Sequence, residues 1–324
     1  MATGSRGGLT PRMMVGWGER ALEGGSSSSG DPGRKHGVTP QDGRCVTVAE
    51  ARKLAVERLT RAGVASPSAE AARLLEAATG LARSGLLLGP EELLGDDAVA
   101  RIGDWLERRG RREPLQHILG RAPFFGLELS VTPEVLIPRP ETERLVELAL
   151  ERLAGVVQPR VLEVGTGSGA VALALKHERP DLTLLATDLS AAALTVASRN
   201  AAALALQVDL IEADLLDHPE VATFAAQAHL LVSNPPYLPD SDREVLSPEV
   251  RFDPELALFG GRDGLDLVRR LEGQARRTLR PGADLLLELD PRTLPLAFAL
   301  GERWSGQQTF CDLTGRERFL MLTR

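Results

Sequence analysis

From Thr47 onward the apolar positions Val48, Ala51, Ala55, Leu59 and Ala62 recur at the spacing that gathers side chains on one helix face. Thr47 and Glu50 fit a capping box, in which hydroxyl and carboxylate each satisfy one orphan backbone N–H. Ser66-Pro67 opens a second helix with proline at its first position, and Gly80 can close it. A third helix follows Asp96-Asp97, with Val99, Ile102, Trp105 and Leu106 on its apolar face. The pattern predicts a small helical domain over residues 46–112. It carries no catalytic constellation, so docking of a substrate or packing is its expected role.

Residues 113–140 read as a linker containing a β-hairpin around Phe124–Val131, after which Pro138-Arg139-Pro140-Glu141-Thr142-Glu143 leads into a helix ending near Leu153. Two prolines fix that approach and the glutamates suit a helix N-terminus; a rigid connector and a ligand contact fit these residues equally well. Beyond it, strand-length apolar runs alternate with helical stretches. The strands are Arg160–Val164, Leu182–Asp188, Val208–Ala213, His229–Ser233 and Ala283–Leu289, with helices from Gly169, Ser190, Leu265 and Leu294. Such alternation predicts an α/β fold, a doubly wound and mostly parallel sheet filling residues 141–324. Thr309–Leu313 and Phe319–Thr323, close together about Thr314-Gly315-Arg316, suit an antiparallel hairpin at its edge.

Composition narrows the class. In 324 residues, 43% hydrophobic and 26% charged, there is material for two ordinary globular domains. The net charge of −7 disfavours nucleic acid as substrate, because nucleic-acid enzymes more often present a basic surface. Cys45 and Cys311 cannot make a disulfide framework, and neither they nor the scattered histidines have metal-ligand spacing. No stretch reaches the length of a membrane-spanning helix, and the reading is a cytoplasmic monomer without a bound metal. Residues 1–45, rich in Gly and Ser with acidic residues interspersed, read as a disordered tail rather than a targeting signal, or as a mis-assigned start.

Two motifs carry the chemistry. Gly165-Thr166-Gly167-Ser168-Gly169 follows the first strand of the alternating region, where glycines permit a tight turn and close approach of backbone to a ligand. Its Gly-x-Gly-x-Gly spacing departs from the dinucleotide fingerprint. Asp188 ends the second strand and can accept both hydroxyls of a ribose; capping of the next helix near Ser190 is the rival role. Asp214 can accept from an adenine amino group, with Leu215 covering the ring, although Asp217 stands close enough to be the acid instead. The second motif, Asn234-Pro235-Pro236-Tyr237, stops an apolar strand, since neither proline can donate a ladder hydrogen bond. What remains is acceptor-rich: an Asn side chain and carbonyls suited to a planar –NH2 group.

Together with Pro114-Leu115-Gln116-His117-Ile118-Leu119-Gly120, Ile137–Glu143, Phe252-Asp253-Pro254-Glu255, Gly260–Leu265 and Asp312–Phe319, these motifs resemble the HemK-type glutamine methyltransferases of peptide chain release factors. The resemblance runs from about Thr47 to the C-terminus. Asn-Pro-Pro-Tyr alone is shared with adenine methyltransferases of DNA; the Ile-Pro-Arg-Pro-Glu-Thr-Glu stretch narrows the reading. The resemblance implies a class I, Rossmann-like methyltransferase domain, S-adenosyl-L-methionine as cofactor and the glutamine of a release factor's Gly-Gly-Gln loop as substrate. It implies further that Gly165 to Gly169, Asp188, Asp214, Leu215 and Asn234 line the cofactor. Asn234 to Tyr237 then hold the glutamine, with Asn234 and Pro235 accepting its amide hydrogens and Tyr237 forming a wall.

Rival readings are a glutamine methyltransferase of a ribosomal protein, an adenine methyltransferase acting on extruded bases, a nicotinamide oxidoreductase and a non-catalytic release-factor binder. Two positions depart from the family pattern. His117 replaces a tyrosine, far from the chemistry in sequence. Glu288-Leu289-Asp290-Pro291 replaces a Glu-x-Gly turn, so the backbone at Asp290 is expected to follow another path.

Overall fold

The computed structural model describes residues 46–324, and the stretch expected as a tail, 1–45, lies outside the described residues. The chain begins with helices α1 (Val48–Arg61), α2 (Pro67–Thr79), α3 (Arg83–Leu88), α4 (Asp96–Gly110) and α5 (Leu115–Leu119). Both halves of the capping box form: Glu50 N donates to Thr47 Oγ1 at 3.2 Å, and Thr47 N to Glu50 Oε2 at 3.1 Å. Gly80 ends α2 in the left-handed region at φ 72°. Leu59, Leu74, Leu75 and Ile102 build the helical core, and Leu115 and Ile118 of α5 join it. The helical layer therefore runs past residue 112. A helix of 5 residues is too short to display an apolar period, which is why the pattern assigned it to the linker.

Strands β1 (Arg121–Phe124) and β2 (Leu127–Ser130) pair antiparallel about Phe125-Gly126, both at positive φ (47° and 77°), the backbone of a tight hairpin turn. A short 3-10 turn, Pro140–Thr142, then feeds α6 (Glu143–Arg152).

The remainder alternates as β3 (Arg160–Val164), α7 (Ala170–Glu178), β4 (Thr183–Asp188), α8 (Ala191–Ala203), β5 (Asp209–Glu212), α9 (Pro219–Ala225) and β6 (Leu230–Ser233). It continues through α10 (Asp266–Thr278), β7 (Asp284–Glu288), α11 (Leu294–Phe298), β8 (Gly306–Cys311) and β9 (Glu317–Thr323). The seven strands lie in the order β5-β4-β3-β6-β7-β9-β8. The first five are mutually parallel; β9 runs antiparallel to β7, and β8 to β9. This is the doubly wound sheet with an antiparallel edge that the alternation predicts. Along β3, Val161 enters one apolar cluster and Leu162 another, so the sheet is covered on both faces. At Asp290 the backbone avoids positive φ; Arg292 N donates to Asp290 Oδ1 at 2.8 Å, a side-chain turn in place of a glycine turn.

Helical layer and sheet domain are tied by charge. Arg112 of the α4–α5 connection donates to Glu249 from Nε at 2.7 Å and Nη2 at 2.9 Å. The buried Arg109 donates to Glu249 Oε1 at 3.2 Å and to Glu70 at 2.6 Å. Glu249 sits in the long segment between β6 and α10. Removing it leaves Arg109 with one carboxylate and Arg112 with carbonyls only. We expect Glu249→Ala to lower unfolding free energy by about 2 kcal/mol, read from urea denaturation. A variant as stable as wild type would show the tie to be marginal.

Candidate active site

The sheet reverses its order of growth between β3 and β6: β4 and β5 are added on one side, β6 and β7 on the other. Ligands in such sheets bind beyond the carboxyl ends of the strands at that point. Val164 and Ser233 are register partners there, and Ser233 Oγ donates to Val164 O at 2.7 Å. The glycine loop and Asn-Pro-Pro-Tyr follow these two residues directly, so the 64 intervening residues, 170–233, still leave the motifs side by side. A cavity of about 220 Å³ opens between them, lined by Gly165, Gly167, Asp188, Asp214, Asn234 and Pro235 among others.

Gly165, Gly167 and Gly169 take φ 76°, 55° and 84°, which side chains rarely tolerate. A Cβ built on Gly165 or Gly167 would meet nothing within 4 Å, so the loop presents bare backbone to open space. The loop is anchored from behind. Gly165 N and Thr166 N donate to Thr187 O at 2.8 and 2.9 Å. The buried carboxylate of Glu163 accepts from Thr166 Oγ1 at 2.6 Å and Ala172 N at 3.1 Å. Burial pushes Glu163 up to about 7, against those two donors.

Asp188 Oδ2 accepts from Gly167 N at 2.8 Å and Oδ1 from Ser190 N at 2.9 Å. The cap of α8 is Ser190, whose Oγ accepts from Ala193 N at 3.2 Å, so Asp188 does not cap that helix. It shapes the loop, lines the cavity and, with one backbone donor on each oxygen, retains acceptor capacity. Burial raises its pKa while the backbone donors oppose the rise. Asp214 and Leu215 line the cavity, whereas Asp217 is not among its lining residues. Asp214 is paired with Arg270 at 2.8 Å. Leu215 is buried at φ 56°, a left-handed conformation costing a leucine about 1–2 kcal/mol and held by the surrounding core.

Asn234, Pro235 and Pro236 line the cavity; Tyr237 stands outside the residues that do. Its ring is placed near Glu288 and Arg318, and burial pushes its hydroxyl above the ordinary phenol range. Asn234 Nδ2 donates to Thr142 Oγ1 at 3.2 Å, leaving Oδ1 as its acceptor. Asp253 Oδ1 accepts from Ile137 N at 3.3 Å, and Arg139 Nη2 donates to Asp253 Oδ2. The Phe252–Glu255 and Ile137–Glu143 motifs thus hold each other. Gly260 and Gly264 form a floor beneath Pro236, outside the cavity lining: a Cβ on Gly260 would lie 2.5 Å from Pro236 O and 2.4 Å from Gly264 O.

The sequence reading missed Thr142 and Glu163 as residues lining this cavity. Each stands one residue or none from a motif edge or strand end, and that proximity was the only signal. His117, distant in sequence, is buried with neither ring nitrogen hydrogen-bonded, and it faces the charges of Asp253 and Arg139. Burial holds its pKa below the ordinary imidazole range, against the nearby carboxylates of Asp253 and Glu113.

The PrmC N-terminal domain family matches residues 50–120, and the Methyltransferase small domain family matches residues 143–247. The release factor glutamine methyltransferase of Deinococcus radiodurans is 50% identical over 272 residues, 83% of this chain and 96% of that protein. Its counterpart in Streptomyces coelicolor is 43% identical over 82% of this chain and 94% of its own length. That of Corynebacterium glutamicum is 41% identical over 85% and 98%.

Replacing glycine with alanine ordinarily stabilises by restricting the unfolded chain. At Gly260 the sign reverses, because the methyl meets two backbone carbonyls that cannot rotate away. Gly260→Ala is expected to lose about 1–3 kcal/mol in a denaturation experiment. A gain in stability would mean that the floor beneath Pro236 yields freely.

Proposed function

The chain belongs to the release factor glutamine methyltransferase family, and on that premise we propose that it methylates the side-chain amide nitrogen of a release-factor glutamine, the one in the Gly-Gly-Gln loop that its motifs imply. The observation carrying this reading is one cavity that joins an open glycine loop to an acceptor-rich Asn-Pro-Pro end. S-adenosylmethionine, when bound, supplies an electrophilic methyl group on a sulfonium. The residues present fit it: bare backbone at Gly165 and Gly167, with Thr166, Ser168 and Gly169 completing the loop, Asp188 for the ribose, and Asp214 with Leu215 for adenine.

An amide nitrogen is a poor nucleophile because its lone pair is delocalised into the carbonyl. Asn234 Oδ1 and the Pro235 carbonyl accept its two N–H groups and turn the nitrogen toward the methyl. They would also stabilise the positive charge that grows on that nitrogen when it accepts the methyl group a bound sulfonium donor supplies. The nitrogen then gives one proton to water. Holding nucleophile and methyl in line contributes on the order of 7–11 kcal/mol at most. Pro236 walls the amide, and Tyr237 backs that wall rather than touching the cavity. The helical layer, tied through Glu249 to the segment flanking the cavity, is our candidate for docking the release factor. We place the reaction in the cytoplasm on the ground of that substrate. Among the described residues no helix is long and apolar enough to cross a membrane.

Asn234→Ala is expected to abolish transfer to purified release factor while cofactor affinity stays within about tenfold, roughly 1.4 kcal/mol. Asp188→Ala is expected to weaken cofactor binding first. Isothermal titration with S-adenosylmethionine and a methyl-transfer assay separate the two. Intact turnover in Asn234→Ala would remove the acceptor role.

A further inference from the structure

Beyond Asn-Pro-Pro-Tyr the chain passes through a 3-10 turn, Asp240–Glu244, and comes back along the cavity, where Pro254, Leu256, Ala257 and Phe259 form a wall. Asp253 pins the start of this wall to Ile137 and Arg139. Backbone pins its end: Leu238 N donates to Leu258 O, and Gly260 N to Leu238 O, both at 2.9 Å. Leu238 directly follows Tyr237, and Gly260 abuts the Pro236 carbonyl, so Phe259 is carried beside the Asn-Pro-Pro end of the cavity. Between the two pins the wall is open to solvent. Leu256 lines the cavity yet is 56% exposed, and Glu255 beside it is exposed as well.

One side chain clasps this open stretch. Arg243 Nη1 donates to Glu255 Oε2 at 2.5 Å, and the guanidinium carbon lies 3.9 Å from the centre of the Phe259 ring. Nη2 donates to Asp240 Oδ1 at 3.4 Å, within the turn that carries Arg243 itself. A planar guanidinium can make both kinds of contact together, donating in its plane and stacking over an aromatic face. Each contact alone is weak at a surface. Jointly they fix residues 255 and 259, which flank Leu256 and Ala257.

We propose that Arg243 is a positioning residue for methyl transfer, holding Phe259 and the Glu255–Ala257 turn in place so that the wall confines the glutamine amide beside Asn234 and Pro235. The inference rests on the function proposed above. Arg243 acts through the Phe259 ring and touches no reacting atom. Without its guanidinium the Glu255 carboxylate is released to solvent and the ring face it covers is bared. The wall then moves more freely, and a loosely confined amide spends less time in line with the methyl group. Gly165, Gly167, Asp188 and Asp214, which fit the cofactor, belong to other elements and keep their contacts. Arg251 supplies a control: it is a cation on the same segment, but its Nη2 donates to Glu244 O at 3.1 Å and not to the wall.

Two measurements on full-length protein test this. Hydrogen–deuterium exchange reads the clasp itself, whatever the substrate, at Ala257 N, Leu258 N and Phe259 N, which donate to Pro254 O and Glu255 O. Arg243→Ala should quicken exchange there about three- to tenfold, and Arg251→Ala should match wild type. Steady-state methylation of purified release factor reads the consequence. Arg243→Ala should lose about three- to tenfold in kcat/KM, with S-adenosylmethionine affinity within about twofold of wild type. Phe259→Leu keeps apolar bulk without a ring, so adding Arg243→Ala to it should cost less than Arg243→Ala alone. Arg243→Lys keeps a charge for Glu255 and should recover part of the loss. Unchanged exchange in Arg243→Ala, an equal loss in Arg251→Ala, full additivity with Phe259→Leu, or a defect confined to cofactor binding would overturn the clasp. Wild-type protein that binds cofactor but transfers nothing to release factor would count against the proposed function, and exchange alone would then decide the clasp.

Discussion

Where β3 and β6 lie side by side, Val164 is registered against Ser233, and everything that follows these residues is forced into one crevice. Parallel pairing brings both carboxyl ends to the same edge of the sheet. Because β4 and β5 continue on one side and β7 on the other, no further strand covers the gap. The glycine loop and the proline-stopped end of β6 meet there because of topology, not because of their own sequence. The proposed chemistry depends on that meeting, since one motif suits a methyl donor and the other an amide.

The remaining motifs serve to keep the crevice in shape. Asp253 holds Ile137 and Arg139, which brings the turn before α6 against the segment after β6. Gly260 and Gly264 let that segment pass beneath the Pro236 and Tyr237 carbonyls at distances that exclude any side chain. Asp312 gathers Thr314, Arg316 and Arg318 into the β8–β9 turn and so places the Arg318 charge near Tyr237 and Glu288. Charged and polar groups buried this closely are costly unless paired, which accounts for so many short motifs converging on one small cavity.

The central strands β6 and β7 were legible because both faces of the parallel sheet are covered there, so each carries a continuous apolar run. The glycine loop, the stop at Asn-Pro-Pro-Tyr and the capping box at Thr47 were legible because each motif has a local geometric cause. Three kinds of feature were not. Short helices such as α5 and α9 carry too few turns for a period to show. Contacts across the fold leave no local trace: Thr142 meets Asn234 across 92 positions, and nothing near either residue announces the other. Burial of charge was hidden as well. Nothing in the sequence marks Glu163 or Glu288 as buried, and His117 reads as a remote substitution; packing puts all three out of reach of water.

Transfer of a methyl group to an amide nitrogen is the activity proposed for this crevice. The most direct measurement is mass spectrometry of purified release factor after incubation with the full-length protein and S-adenosylmethionine, with fragmentation to locate the modification. One added methyl group is expected on the glutamine of the Gly-Gly-Gln loop. An unmodified glutamine, from protein shown separately to bind S-adenosylmethionine, would contradict it.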